Sequence, residues 1–293
     1  MCCALAACGG SSGSGSAGGT TSGADFVIKT SITSADYDAG AATGENGAYI
    51  DTSSVDEGYV AVSATNSSKL KFQVICGNAT ANYDLPADGT PVACPLSFGD
   101  GEYTFRVMQN TSGNNYVELA SASASVSMES EFEPFIRPNI YCNYSEDSAC
   151  VAKARELVAS ASNEAEALAA ICSYIVDNIT YDNDKAAELS NATGYVPDPD
   201  ETLASGTGIC FDYASLGAAM LRSQGIPTRI VTGYVSPNSI YHAWIMVYID
   251  GSWQSAQFTV SADTWSRVDL TFAAGGATQN VGDGKEYTDR YVY

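Results

Sequence analysis

The hydrophobic period of this chain changes twice, and that alternation limits its architecture more than any other feature. From residue 25 to about 130 the apolar residues come in short runs, "GYVAVSA" (58–64), "LKFQVIC" (70–76) and "GEYTFRVMQ" (101–109). In the last run Tyr103, Phe105 and Val107 alternate with Glu102, Thr104 and Arg106, the two-residue period of a half-buried strand. Clusters such as "ADGT" and "FGDG" separate the runs. Several short strands punctuated by turn residues predict a small β-sandwich of immunoglobulin-like size. No chemistry is legible in this half, which reads as a spacer or binding module.

After a Pro-punctuated connector, "FEPFIRPNIYCNYSEDSAC" (132–150), the period becomes helical. Helices are expected over 147–160, 163–179 and 210–225. The second opens with Asn163 and Glu166 at capping-box spacing and places Leu168, Cys172, Ile175 and Ile179 on one face. Cys172 is therefore expected in the core. The third stops at Gly225, with Pro227 just beyond. Between them, "VPDPDETLASGTG" (196–208) reads as a loop. The period then returns to two: "TRIVTGYV" (228–235), "HAWIMVYI" (242–249) and "WSRVDLTF" (265–272) read as strands, with Asp250-Gly251 as a hairpin turn. The expectation is an α+β chain: a leader remnant and tether (1–24), a β-sandwich (25–130), and helices packed on an antiparallel sheet (131–293).

Acidic residues outnumber basic ones 34 to 13, giving a formal net charge of −21. That charge repels phosphate backbones and anionic lipid, which argues against a nucleic-acid partner. No apolar run reaches the length of a membrane span. At the start, Leu5-Ala6-Ala7-Cys8 looks like a bacterial lipobox, and a lipid anchor is expected at Cys8. None of the residues ahead of Cys8 is basic, so the motif needs either a start further upstream or a chance match. The Gly/Ser stretch Gly9–Ala24 favours the first, since it is a flexible tether with a reach of roughly 20 Å. Six cysteines remain outside this leader: Cys76, Cys94, Cys142, Cys150, Cys172 and Cys210. In an oxidising compartment Cys76 with Cys94 and Cys142 with Cys150 are the sensible local pairs, which leaves Cys210 unpaired. No CxxC pair or clustered His/Cys spacing points to a metal, and no cofactor is implied.

Cys210 stands where a Gly-rich loop, Ser205-Gly206-Thr207-Gly208-Ile209, meets a helix N-terminus. Free backbone N–H groups and the helix dipole favour an anion there, whether a thiolate or the oxyanion of a tetrahedral intermediate. A lone cysteine is otherwise a small core residue, but such a residue needs no glycine approach. His242, the chain's single histidine, opens a strand and can take a proton from a thiol packed beside it. Asp269, inside an apolar run, is the candidate to hold the other ring nitrogen.

The ordered series "GTGICFDYASLGAAMLRSQGIPTRIVTGYV", "YHAWIMVY" and "WSRVDLTF" resembles the transglutaminase-like core, a branch of the papain-like cysteine enzymes. The resemblance covers roughly residues 145 to 275, and implies the nucleophile at Cys210, the general base at His242 and the orienting carboxylate at Asp269. An ungapped reading of the family pattern would put Gln257 in place of the aspartate. An extra hairpin within "GSWQSAQFTVSADTW" restores the phase and selects Asp269, with Gln257 second and Asp263 third. Tyr181, Phe211, Tyr213 and Tyr241 are candidates to line an apolar slot.

The resemblance implies a cysteine acyl-transfer enzyme working through a thioester; with the lipobox and tether, the expectation is a monomeric extracytoplasmic enzyme acting on protein or cell-wall peptide. Peptidase, amidase and transglutaminase chemistry all remain open. The alternative is a non-catalytic surface binding module on the same fold.

Overall fold

A computed structural model of the chain describes residues 20–190, 192–236, 240–254, 258–275 and 287–293. The lipobox, Cys8 and most of the tether lie outside the described residues.

A short strand β1 (Thr20–Ser22) is followed by eight strands: β2 (Thr43–Glu45), β3 (Ala48–Asp51), β4 (Tyr59–Ala64), β5 (Leu70–Cys76), β6 (Ala79–Leu85), β7 (Val92–Pro95), β8 (Gly101–Ser112) and β9 (Asn115–Val126). They form two antiparallel sheets, ordered β2-β3-β4-β7 and β6-β5-β8-β9. In β5, Leu70, Phe72 and Val74 are buried while Lys71 and Gln73 are half-exposed, which is the alternation the sequence carries. Phe72 stacks on Phe105 with ring centroids 6.2 Å apart, and Ile50, Val60 and Val62 of the other sheet join the same core.

The second half contains α1 (Ala149–Leu157), α2 (Glu164–Asn178), β10 (Thr180–Tyr181), α3 (Asn183–Leu189), α4 (Pro199–Ser205), β11 (Thr207–Gly208) and α5 (Cys210–Ser223). Then come β12 (Thr228–Val235), β13 (Ile240–Val247), β14 (Ser252–Gln254), β15 (Thr259–Val260), β16 (Ser266–Val268), α6 (Leu270–Ala274) and β17 (Tyr287–Val292). Helix α2 starts as its sequence requires, the Asn163 side chain accepting from the Glu166 N–H at 2.9 Å. Cys172 is buried on its inner face. Helix α5 is the centre of this half: every residue from Asp212 to Ser223 is buried. It packs against Ile230, Ala243, Ile245 and Val247 of an antiparallel sheet ordered β16-β13-β12-β17. The opposite face of that sheet carries a smaller cluster, Val231, Val235 and Trp244, covered by Phe272 and Tyr287. One continuous core joins the two halves, with Tyr83 of β6 packed on both Tyr141 and Tyr293 at 5.7 Å.

Four local expectations are corrected. The run 265–272 is a strand only as far as Val268, because Asp269 caps the short helix α6. Asp250-Gly251 does not close a hairpin from β13. Instead β14 leaves that sheet and pairs with β1 and β15, and a Cβ on Gly251 would stand 1.5 Å from the Ser22 carbonyl oxygen. That close backbone approach, not a turn conformation, is what the glycine permits. Within the expected loop 196–208 lies α4, started by Asp198 as N-cap and Pro199 at the first helical position. Finally, all six cysteines among the described residues are free thiols. Cys76 and Cys94 belong to different sheets of the sandwich. The Cys142 thiol donates to the Ser215 carbonyl at 3.7 Å, and the Cys150 thiol is engaged by Asp200.

Candidate active site

Cys210 is the first residue of α5 and is half-buried. The first N–H groups of any helix lack intrahelical acceptors, so this thiol sits among free donors at the positive end of a fourteen-residue dipole. The loop before it is fixed by a two-residue parallel pairing, Thr180 with Thr207 and Tyr181 with Gly208. That pairing brings Tyr181 beside the thiol: burial raises the Tyr181 pKa, and the nearby Cys210 and Asp212 raise it further.

His242 lies on β13 opposite Gly233 of β12. Its imidazole is buried, stacked on the Phe272 ring with centroids 4.6 Å apart. Nε2 donates to Asp269 Oδ2 at 2.7 Å. Cys210 is near enough for its side chain to act on the ring. Burial alone would lower the pKa of the imidazole. The hydrogen bond to Asp269 and the charges of Asp269 and Cys210 outweigh it and raise that pKa to about 9. The ring thus carries its proton readily in the folded protein.

Asp269 is 1% exposed, and both its oxygens are engaged. Oδ1 accepts from the Phe272 N–H at 3.1 Å, and Oδ2 from the Tyr287 hydroxyl at 2.9 Å in addition to His242. The helix cap and the tyrosine hold the carboxylate in one orientation, and the carboxylate holds the ring.

The structure therefore brings Cys210, His242 and Asp269 together. Gln257 lies outside the described residues. Asp263 is exposed in a turn, its N–H bonded to the Ile249 carbonyl at 2.9 Å, away from the imidazole. The extra hairpin that restores the aspartate's phase is present as the β14–β15 pair. The four aromatic candidates divide. Tyr181 is exposed beside Cys210, whereas Tyr213 is buried with its hydroxyl on the Ile179 carbonyl at 2.6 Å. Phe211 packs on Tyr141 at 5.2 Å, and Tyr241 is bonded to Thr232 at 2.9 Å on the sheet face opposite His242.

With these positions established, comparison with known proteins is informative. Residues 151–258 match the model of the transglutaminase-like superfamily, a span that includes Cys210 and His242 and ends before Asp269. An uncharacterized protein of Mycobacterium leprae is 34% identical over 92 residues, which cover 28% of this chain and 29% of that protein's length. Among solved structures the chain is similar to a candidate cysteine protease from Cytophaga hutchinsonii, at 17% identity and a TM-score of 0.35, covering 80% of this chain and 91% of that one. It is also similar to red sea bream transglutaminase, at 12% identity and a TM-score of 0.35, covering 78% of this chain and 49% of that one.

Three partners of buried carboxylates escaped the sequence reading: Tyr287, Lys185 and Tyr195. Tyr287 is the eighteenth residue after Asp269, and no local spacing connects them. Lys185 and Tyr195 bind the buried Asp212, Lys185 Nζ at 2.8 Å from Oδ2 and the Tyr195 hydroxyl donating to Oδ1. Asp212 also accepts from the Ile209 N–H at 2.8 Å. From sequence Asp212 is only an acidic residue in a first helical turn, and nothing in the pattern announces what it binds. Among the described residues no group of three or more His, Cys, Asp or Glu side chains is arranged to hold a metal.

Proposed function

We propose that this chain is a cysteine acyl-transfer enzyme that acts on peptide or carboxamide bonds outside the cytoplasm. The observation that supports it is the single imidazole placed between a helix-start thiol and a buried carboxylate. In the reaction the Cys210 thiolate attacks the carbonyl carbon, forming a C–S bond and a tetrahedral oxyanion within reach of the first N–H groups of α5. The His242 imidazolium gives its proton to the leaving nitrogen as the C–N bond breaks, leaving a thioester and neutral imidazole. Water or an amine then attacks the thioester while His242 takes the incoming proton, and the departing sulfur restores the thiolate–imidazolium pair. Asp269 keeps the ring oriented through both halves and does not itself change protonation.

Hydrolysis is the favoured outcome, because Cys210 and Tyr181 are open to water. The extracytoplasmic setting rests on the Cys8 motif and its Gly/Ser tether, and the substrate class that goes with it is protein or cell-wall peptide. Mass spectrometry of the protein trapped with mixed cell-wall and protein peptides tests the reaction. A mass increase on Cys210 names the acyl donor, and the released product names the acceptor. No adduct on Cys210 with either peptide set, under conditions where the protein is folded, contradicts the reading.

A further inference from the structure

The buried carboxylate of Asp212 takes no part in this chemistry, yet it lies two residues after Cys210 in the same first turn. It is 0% exposed, and three groups satisfy it: the Ile209 N–H, the Lys185 ammonium and the Tyr195 hydroxyl. Lys185 and Tyr195 also meet each other, the ammonium lying 4.9 Å from the tyrosine ring centroid. Both come from the stretch between β10 and α4. Helix α3, which carries Lys185, contributes no buried residue, so core packing does not account for this contact.

We propose that Lys185 and Tyr195 are positioning residues for Cys210, holding Asp212 paired so that its charge does not oppose the neighbouring thiolate. This rests on the acyl-transfer reading of Cys210. The physical argument concerns charge in a poorly solvated place. An unpaired carboxylate at this depth would repel a second negative charge in the same helical turn. Tyr181 senses both Cys210 and Asp212, which places the two groups in one electrostatic neighbourhood. The Lys185 ammonium cancels the carboxylate charge. Burial works against that ammonium, but the bonds to Asp212 and Tyr195 outweigh it and hold the lysine pKa above its ordinary value. The ammonium is therefore charged throughout the range in which a cysteine enzyme works. The Asp212–Ile209 bond in turn fixes the loop that presents the thiol, so the same carboxylate sets position and requires neutralisation.

The test is the pH profile of iodoacetamide labelling of Cys210 in the full chain, measured for wild type, Lys185→Met, Asp212→Asn and the double variant. Lys185→Met leaves the carboxylate without its counter-charge, and the labelling midpoint is expected to rise by about half a pH unit or more. Asp212→Asn leaves the ammonium without its partner, and the midpoint is expected to fall. The double variant returns close to wild type. Tyr195→Phe removes one donor and is expected to move the midpoint in the Lys185→Met direction by less, which keeps the test open if Asp212→Asn does not fold. A purely structural contact predicts no opposed shifts, and midpoints moving together or not at all overturn the proposal. Absence of selective labelling in wild type would instead overturn the acyl-transfer reading, so the two failures are distinct.

Discussion

Tyr287 donates its hydroxyl to Asp269 Oδ2 at 2.9 Å, the same oxygen that receives the His242 Nε2–H at 2.7 Å. One carboxylate oxygen thus serves both the imidazole and a tyrosine brought in from the edge strand of the sheet. Tyr287→Phe removes a donor from the carboxylate, which becomes more basic and holds the His242 proton more tightly. The alkaline limb of kcat is expected to move to higher pH, with kcat lowered by roughly 10-fold or less through the looser carboxylate. A pH–rate profile identical to wild type would remove Tyr287 from the site.

The elevated pKa of His242 makes a prediction about stability as well as activity. The folded value of about 9 lies above the ordinary 6.5. A raised pKa contributes stability that is fully present below pH 6.5 and lost as pH rises through about 9. Thermal melts should therefore decline across that window in wild type, and the decline should be smaller in Asp269→Asn. Activity should fall through the same upper pH, because the imidazolium that protonates the leaving group disappears there. Stability that rises from pH 6.5 to 9 would contradict the assignment.

Arg222, 1% exposed, donates to the carbonyls of Thr228 at 2.8 Å, Arg137 at 3.0 Å and Tyr293 at 2.9 Å. It ties α5 to the connector and to the last strand at once. Arg222→Met keeps the bulk but removes a donor from three buried carbonyls, of which that of Tyr293 retains the Ile230 N–H at 2.8 Å, and is expected to cost about 2 kcal/mol or more. Urea titration reads this as a lower midpoint, and an unchanged midpoint would show that other donors replace the guanidinium.

Gly233 sits opposite His242, and a Cβ there would stand 2.0 Å from the Thr288 carbonyl oxygen and 3.0 Å from the Trp244 ring. Gly233→Ala must push β17 away from β12, and Tyr287 with it. The expected loss is about 1–3 kcal/mol in stability, together with the kinetic signature of Tyr287→Phe. A variant that is destabilised but retains the wild-type pH profile would show that the strand shift spares Asp269.

What was legible in the sequence depended on locality. The strands over β4, β5, β8 and β12 and the helices α2 and α5 carry their own periodicity, caps and stops, and a chain can be read wherever its neighbours in space are its neighbours in sequence. Cys210 was legible because a helix start constrains which residues can stand there; His242 was legible as the single histidine in the ordered motif series, although it is the third residue of β13 rather than its first. Asp269 was identified, but its local structure was misread. "WSRVDLTF" has a strand's composition, yet its aspartate accepts from Phe272 N–H and turns the chain into α6. The capping role competes with the strand pattern, and a two-residue period does not reveal it. The cysteines were misread for a related reason: closeness in sequence suggested pairs, but Cys76 and Cys94 stand on different sheets of the sandwich, and Cys142 and Cys150 are engaged by Ser215 and Asp200. Lys185, Tyr195 and Tyr287 were illegible, since each reaches its carboxylate from an element whose position depends on the whole fold.

The central claim, that Cys210 is a nucleophile activated by His242, is tested most directly by iodoacetamide labelling at neutral pH, read by peptide mass spectrometry. The prediction is selective modification of Cys210 over the buried Cys94, Cys142, Cys150 and Cys172, slowed at least 10-fold in His242→Ala. Cys210 labelling no faster than that of the buried thiols, or at the same rate in His242→Ala, would contradict the account.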